Sequence, residues 1–414
     1  MNDYNSNKET GKALIPRLRF PEFQNNGEWE VKTIGDILNS QSSTLSLNKL
    51  KIKDKGYAVY GAEGIIGFID NFQHNEQYIS IVKDGSGVGR LNLCQAESSI
   101  LGTLSALKVR YNNKHSLIYA YYLLNTLNFS IFVKGAGIPH IYYSDYKEAR
   151  IGVPSLPEQQ KIASCLSSID EVIAGERQWL ELLKAHKKGL LQNLFPQAGE
   201  TVPKLRFQEF ENSGKWNVLP LGSLSFEIKE RTKGLKFKLL SISSGNGLIS
   251  QIEKFGKEIA GKSYENYIVL NKGDFAYNKS STKLYPEGEI AMLEKEEKGA
   301  VPSSIFLCFR FDNHKIYPFF AKYFFSNNRH GRWLKKFISI GARAHGALQI
   351  NSKEFFSIPF TFPSIPEQQK IANSLSFLDD LIHAHQQKIE LLEQHKKGLL
   401  QGLFPQGVDT EING

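Results

Sequence analysis

The run from Pro157 to Gln197, PEQQKIASCLSSIDEVIAGERQWLELLKAHKKGLLQNLFPQ, returns from Pro366 to Gln406 as PEQQKIANSLSFLDDLIHAHQQKIELLEQHKKGLLQGLFPQ. The two align without a gap at an offset of 209 residues, with 26 identities over 41 positions. Self-similarity at a fixed offset constrains a fold more than any local pattern, because it requires two copies of one plan.

Each copy reads as a long helix. Pro157 and Pro366 suit the first helical position, and Glu158 and Glu367 place negative charge in the first turn, where the helix dipole favours it. Apolar residues then recur at alternating spacings of four and three. They are Ile162, Leu166, Ile169, Ile173, Leu180, Leu183, Leu190 and Leu194 in the first copy, and Ile371, Leu375, Leu378, Ile382, Ile389, Leu392, Leu399 and Leu403 in the second. Such a seam, sustained over roughly five heptads, is the signature of a coiled coil. It is interrupted at matching places, by Glu176 and His385 and then by Lys187 and Lys396, and polar seam positions can set register. Lys187, Lys188, Lys396 and Lys397 suit the C-terminal ends, and Pro196 and Pro405 stop the helices. About 38 residues rising 1.5 Å each make a rod of roughly 57 Å. With a whole domain between them, the two helices are expected to pack antiparallel.

The chain has 414 residues, room for two or three domains. Its 41 % hydrophobic and 22 % charged content are those of a soluble globular protein. No apolar run of 18 residues is present and the start, MNDYNSNKETGK, has no apolar core for a signal peptide, so neither a membrane nor a secreted location is expected. Cys94, Cys165 and Cys308 are far apart and in no metal-ligand spacing, which fits buried thiols in a reducing cytoplasm. The net charge of +9 favours a polyanionic partner.

Residues 1–14 read as a disordered arm. The segment IPRLRFPEF (Ile15 to Phe23), followed by Trp29, leads into a domain, and VPKLRFQEF (Val202 to Phe210), followed by Trp216, repeats it. The domain boundaries are 15–154 and 206–363, with helical segments 155–197 and 364–406, a linker 198–205 and a tail 407–414. The domains barely resemble each other in sequence. Both read as mixed α/β: Tyr57–Tyr60, Tyr78–Val82, Tyr267–Leu270 and Ser304–Phe311 are strand candidates between Gly- and Asn-rich turns. Ser116–Asn128 and Tyr317–Asn327 carry apolar and aromatic residues at helical spacing, where aromatics are core before they are ligand platforms. Each domain ends in a Gly-rich basic loop, Val133–Tyr146 or Ile340–Phe355, and a strand-like segment that runs into the helix.

The doubled PEQQKIA…HKKGLLQ.LFPQ blocks, each after its own variable domain, and the [RK]LRF lead-ins resemble the specificity subunit of type I restriction–modification enzymes, over about Ile15 to Gln406. The resemblance implies an α+β chain in which two α/β target recognition domains are separated by two long helices packed as an antiparallel coiled coil, with an internal pseudo-twofold repeat. It implies that each domain reads one half of a bipartite, asymmetric site in double-stranded DNA, while the helices set the gap and dock two methyltransferase (M) subunits, which restriction (R) subunits join. It also implies that the chain is not itself an enzyme and holds no cofactor or metal. S-adenosylmethionine belongs to the methyltransferase partner, and ATP and Mg to the restriction partner. The Asn-Pro-Pro-Tyr expected of an adenine methyltransferase is absent from the chain. The residues agree with this reading, since two unlike heads on a rigid rod can read unlike half-sites at a fixed spacing.

Phosphate contacts need Lys, Arg, hydroxyls and backbone N–H groups, and base readout needs Arg, Asn, Gln or Lys at groove edges. The candidates in the first domain are Lys83, Ser86 and Arg90 of VKDGSGVGR, with Lys134, His140, Tyr142 and Tyr143 of the terminal loop. In the second they are Asn278, Lys279, Ser280, Ser281 and Lys283 of YNKSSTK, Arg329, Arg332, Lys335 and Lys336 of NNRHGRWLKK, and Arg343 and His345 of the terminal loop. Any one of them alone is as readily a solvated surface residue; the clusters carry the reading.

Two motifs mislead. Gly256–Ser263, GKEIAGKS, fits the G-x-x-x-x-G-K-[ST] phosphate loop, but that loop works only between an apolar strand and a following helix. Gly85–Gly89 lacks the six-residue spacing of a dinucleotide fingerprint and reads as a tight turn. A phosphate-loop nucleotide-binding protein and a coiled-coil scaffold for protein partners only remain the alternative readings. Loss of ATP binding in Lys262→Ala marks the first, and sequence-specific DNA retention by the assembled complex excludes the second.

Overall fold

A computed structural model describes residues 14–135, 137–243, 247–258, 264–340 and 347–405. The chain divides into two compact units, one of residues up to Gln178 together with those from Gln387, the other Trp179–Gln386. The division cuts both long helices, Leu156–Asn193 and Ile365–Leu403, so each unit holds a part of each.

In the first unit a four-stranded antiparallel sheet runs in the order Leu38–Ser42, Leu104–Val109, Tyr78–Val82, Leu91–Cys94. Tyr78–Val82 is buried along its whole length, which period-two alternation explains. Ile79 and Ile81 pack into the cluster of the helix Leu117–Asn125, including Tyr119 and Leu123. Tyr78 and Val82 point the other way, into a cluster with Ala58, Tyr60 and Ile100 from a small sheet formed by Gly64–Ile69, Tyr57–Gly61 and Ser99–Ile100. Ser116 caps the helix, its hydroxyl accepting from the Tyr119 N–H.

The second unit repeats this plan with different residues. Its four-stranded sheet has the order Ser225–Glu227, Phe306–Phe311, Phe275–Asn278, Glu289–Met292. Phe275 and Tyr277 face the aromatic cluster of the helix Pro318–Ser326, and Ala276 faces a second cluster with Leu270 and Val301. In both units the strand after the Trp pairs antiparallel with the strand before the long helix: Glu30–Thr33 with Arg150–Val153, and Asn217–Pro220 with Pro359–Phe362. The two ends of each domain are thereby tied together where the helix begins.

The repeated PEQQ block does this tying. Arg19 of the first RLRF donates from Nε and Nη2 to the two oxygens of Glu158, 2.8 Å each, and Trp29 Nε1 donates to the same carboxylate at 3.2 Å. Arg206, Glu367 and Trp216 reproduce the arrangement at 2.8, 2.7 and 3.2 Å. Gln159 accepts from the Ser116 N–H and donates to the Lys114 and Pro154 carbonyls; Gln368 treats Tyr317, Lys315 and Pro363 alike. Bidentate charge-assisted bonds of this kind carry geometry as well as energy, so each block fixes how its domain meets its helix.

The helices pair antiparallel in each unit. In the first, Asp170 meets Lys396 at 2.5 Å, Glu176 meets Lys388 at 2.6 Å and Arg177 meets Glu393 at 2.5 Å, early residues of one helix against late residues of the other. In the second, Lys187 pairs with Asp379, and the rings of Trp179 and His385 lie 6.4 Å apart, edge to face. Of the seam, Ile162, Leu166, Ile173, Leu180, Leu183, Leu194, Ile371, Leu375, Leu378, Ile389 and Leu403 are buried, and Ile169, Leu190, Ile382, Leu392 and Leu399 are half-buried. The polar interruptions are half-buried and partnered. Lys396 and Lys187 each meet an aspartate that also accepts from a domain tyrosine, Tyr122 and Tyr323 respectively, at 2.7 Å. Among the described residues no helix is long and apolar enough to cross a membrane.

Candidate nucleic-acid interface

In the first unit the buried strand Tyr78–Val82 runs out into the turn Lys83–Arg90. Gly85 and Gly89 take φ of +99° and +85°, the left-handed region open to glycine. A Cβ on Gly89 would also lie 2.9 Å from that of Phe129. The terminal loop clasps this turn through backbone groups. The Ile141 N–H donates to the Lys83 carbonyl at 2.8 Å, and the Gly85 N–H donates to Pro139 at 2.9 Å. Lys134 and His140 exchange two further backbone bonds, at 2.9 and 2.8 Å.

This clasp brings Lys83, Lys134 and His140 onto one pair of loops, with Ser86 exposed on the turn. The His140 and Tyr142 rings are 5.1 Å apart, and Tyr142 is half exposed. Lys134 reaches Asp145 at 2.8 Å. Burial pushes the Asp145 carboxyl up, but Lys134 and the Tyr142 N–H together outweigh it and hold the group below its ordinary value. Arg90 is exposed, with Nη1 3.3 Å from Glu63. Tyr143 is placed differently: its hydroxyl donates to the Leu38 carbonyl and its ring packs edge-on against Tyr146.

The second unit arrives at the same arrangement from unrelated sequence. The strand Phe275–Asn278 runs into Lys279, whose carbonyl accepts from the Leu348 N–H at 2.9 Å, as that of Lys83 accepts from Ile141 at 2.8 Å. Ser280 forms a bridge with Ala347 of the terminal loop. Ser280 and Ser281 are half-buried and Lys283 is exposed. The Asn278 Oδ1 is buried without a partner among the described residues. Arg343 and His345 lie outside the described residues.

Arg329, Arg332, Lys335 and Lys336 are elsewhere, around the short helix Gly331–Leu334. Arg329 is half-buried and donates to the Pro196 carbonyl, while the other three are exposed.

Sequence reasoning missed two exposed aliphatic residues on these loops, Ile138 at 71 % and Leu284 at 66 % exposure. Their only signal is an apolar residue amid turn formers. It also missed the Tyr–Asp–Lys contacts, though the 209-residue offset equates Asp170 with Asp379 and Lys396 with Lys187. Of GKEIAGKS only Gly256–Glu258 is described, and Gly256 ends the short helix Gln251–Phe255. The next described strand, Ile268–Asn271, follows a single short turn of helix, so the strand-before, helix-after setting of a phosphate loop is not met among the described residues. Nor do three His, Cys, Asp or Glu side chains converge there as metal ligands.

A family model, the type I restriction modification DNA specificity domain, matches residues 26–185 and again 214–394. The type I restriction enzyme MjaVIII specificity subunit of Methanocaldococcus jannaschii is 25 % identical, with 95 % of each chain covered. The putative MjaX specificity subunit of the same organism is also 25 % identical, over 90 % of this chain and 92 % of its own. Among solved structures, the type I restriction-modification S subunit from M. genitalium superposes with a TM-score of 0.66 at 19 % identity, covering 95 % of this chain and all of the other, a likeness of fold. Two matched domains, each with the same strand-and-loop plan and its own long helix, make this chain a member of the type I restriction–modification DNA specificity subunit family.

Proposed function

We propose that this chain is the DNA-reading and assembly subunit of a type I restriction–modification complex. Each domain reads one half of a bipartite, asymmetric site in double-stranded DNA. The paired helices fix the gap between the halves and dock two methyltransferase subunits, which restriction subunits join. Methylation and cleavage are the partners' work, with S-adenosylmethionine held by the methyltransferase and ATP and Mg by the restriction subunits, in the cytoplasm.

The observation that carries this reading is the loop clasp found in both units. Lys83 and Lys279 leave equivalent strands and are held by equivalent backbone bonds, yet the residues presented around them differ. A fixed backbone with variable side chains is what two unlike half-sites need, since base edges are read by side chains while the backbone sets their approach. The test is an exchange of residues 206–360 for the second domain of another family member. One half of the recognised sequence is expected to change and the other to persist; a change in both halves contradicts modular reading.

A further inference from the structure

We propose that the second unit carries a cleft for a phosphate-bearing ligand, separate from its reading loops. The cleft, of about 680 Å³, lies beside the end of the first long helix, with Pro196, Thr201, Phe324 and Trp333 among its walls. None of residues 278–285 or 347–350 lines it.

Arg329, Arg332 and Lys336 line the cleft against a single acid, Glu200, whose carboxylate accepts from the Gln197 N–H at 3.3 Å. The Arg329 guanidinium lies over the rings of Phe195 and Phe324, at 5.2 and 5.9 Å from their centres, and its Nη1 donates to Pro196 at 2.5 Å. Its Nε is buried with no hydrogen-bond partner among the described residues. Burial, with the neighbouring charge of Arg332, lowers the Arg329 pKa to about 10. Like charges at close quarters repel, and an anion in the cleft offsets the repulsion between Arg329 and Arg332.

The scaffold does not require these cations. Pro405 repeats Pro196, but the positions as far beyond Asn125 in the first unit as Arg329, Arg332 and Lys336 are beyond Ser326 hold Asn128, Ile131 and Gly135. Three cations suit the several oxygens of a phosphoryl group. Phe324, Trp333 and Val218 offer apolar wall for the organic part of its bearer. The volume falls within the usual range of small-molecule sites, about 300–1,000 Å³. The phosphate is that of a free nucleotide, whose organic part the apolar wall receives; contact with a nucleic-acid backbone belongs to the function already proposed for the chain and is the rival outcome of the test.

The test uses the full-length chain and its Arg332→Ala/Lys336→Ala variant, titrated calorimetrically with AMP and, separately, with a short duplex lacking the recognised sequence. An unchanged thermal midpoint certifies the variant's fold, and Arg332→Gln alone serves if that midpoint falls. Saturable AMP binding, weakened about tenfold or more in the variant, identifies a free-nucleotide site. The proposal is overturned when AMP binding does not saturate or does not respond to the substitutions; a duplex affinity whose salt slope drops by about 2 in the variant, without AMP saturation, assigns these cations to DNA-backbone contact alone.

Discussion

Glu158 and Glu367 are each 1 % exposed, and each is neutralised by one arginine from a lead-in segment distant in sequence. From the sequence they look like first-turn dipole partners. Their arginines stand 139 and 161 residues away, and no local pattern links them. Arg206→Ala strands the Glu367 charge, and a loss of about 3–5 kcal/mol in urea unfolding is expected. The histidines add a pH dependence. Burial lowers His74 and His330 to about 4 from the usual 6.5. Both are neutral in the folded protein, so their contribution is whole above about pH 6.5 and is lost as pH falls towards 4. Each costs about 1.4 kcal/mol per pH unit across that window. His330→Gln should flatten the fall in denaturation midpoint between pH 6.5 and 5; an unchanged slope contradicts the assignment. At the two loop clasps, proposed to contact DNA, Lys83→Ala and Lys279→Ala are each expected to weaken duplex binding and to lower the salt slope by about 1.

At the scale of elements, the two long helices were legible because eight apolar positions repeat in each copy. The strand candidates were legible to within a residue or two because each is a short apolar run between turn formers, buried on both faces. The clasp between turn and terminal loop was not, because it is made of backbone N–H and C=O groups that any residue supplies. Nor was the agreement between the two sheets, which is a matter of buried position and strand order and not of residue identity. The polar breaks in the seam read as register markers, and the structure gives them partners: Lys187 with Asp379 and Lys396 with Asp170, each aspartate shared with a tyrosine. Leu180→Asp with Leu392→Asp puts charge into this seam and should reduce the mass of the complex recovered with the methyltransferase. Retention of the full mass contradicts the role given to the helix pair.

At the scale of the molecule, duplication gives one chain a repeated scaffold that carries two domains of unlike sequence, as the asymmetric reading proposed for it requires. The repeated parts, PEQQ, the [RK]LRF lead-ins and the Tyr–Asp–Lys contacts, hold each domain to its helices. The unrepeated parts are the loop side chains and the basic cleft of the second unit. The measurement that tests this account most directly is genome-wide adenine methylation in cells carrying the chain with its methyltransferase, against cells lacking only the chain. The account predicts the loss of one bipartite, asymmetric motif, whose two halves and gap the comparison reveals. An unchanged methylation pattern, with the methyltransferase present and active, contradicts it.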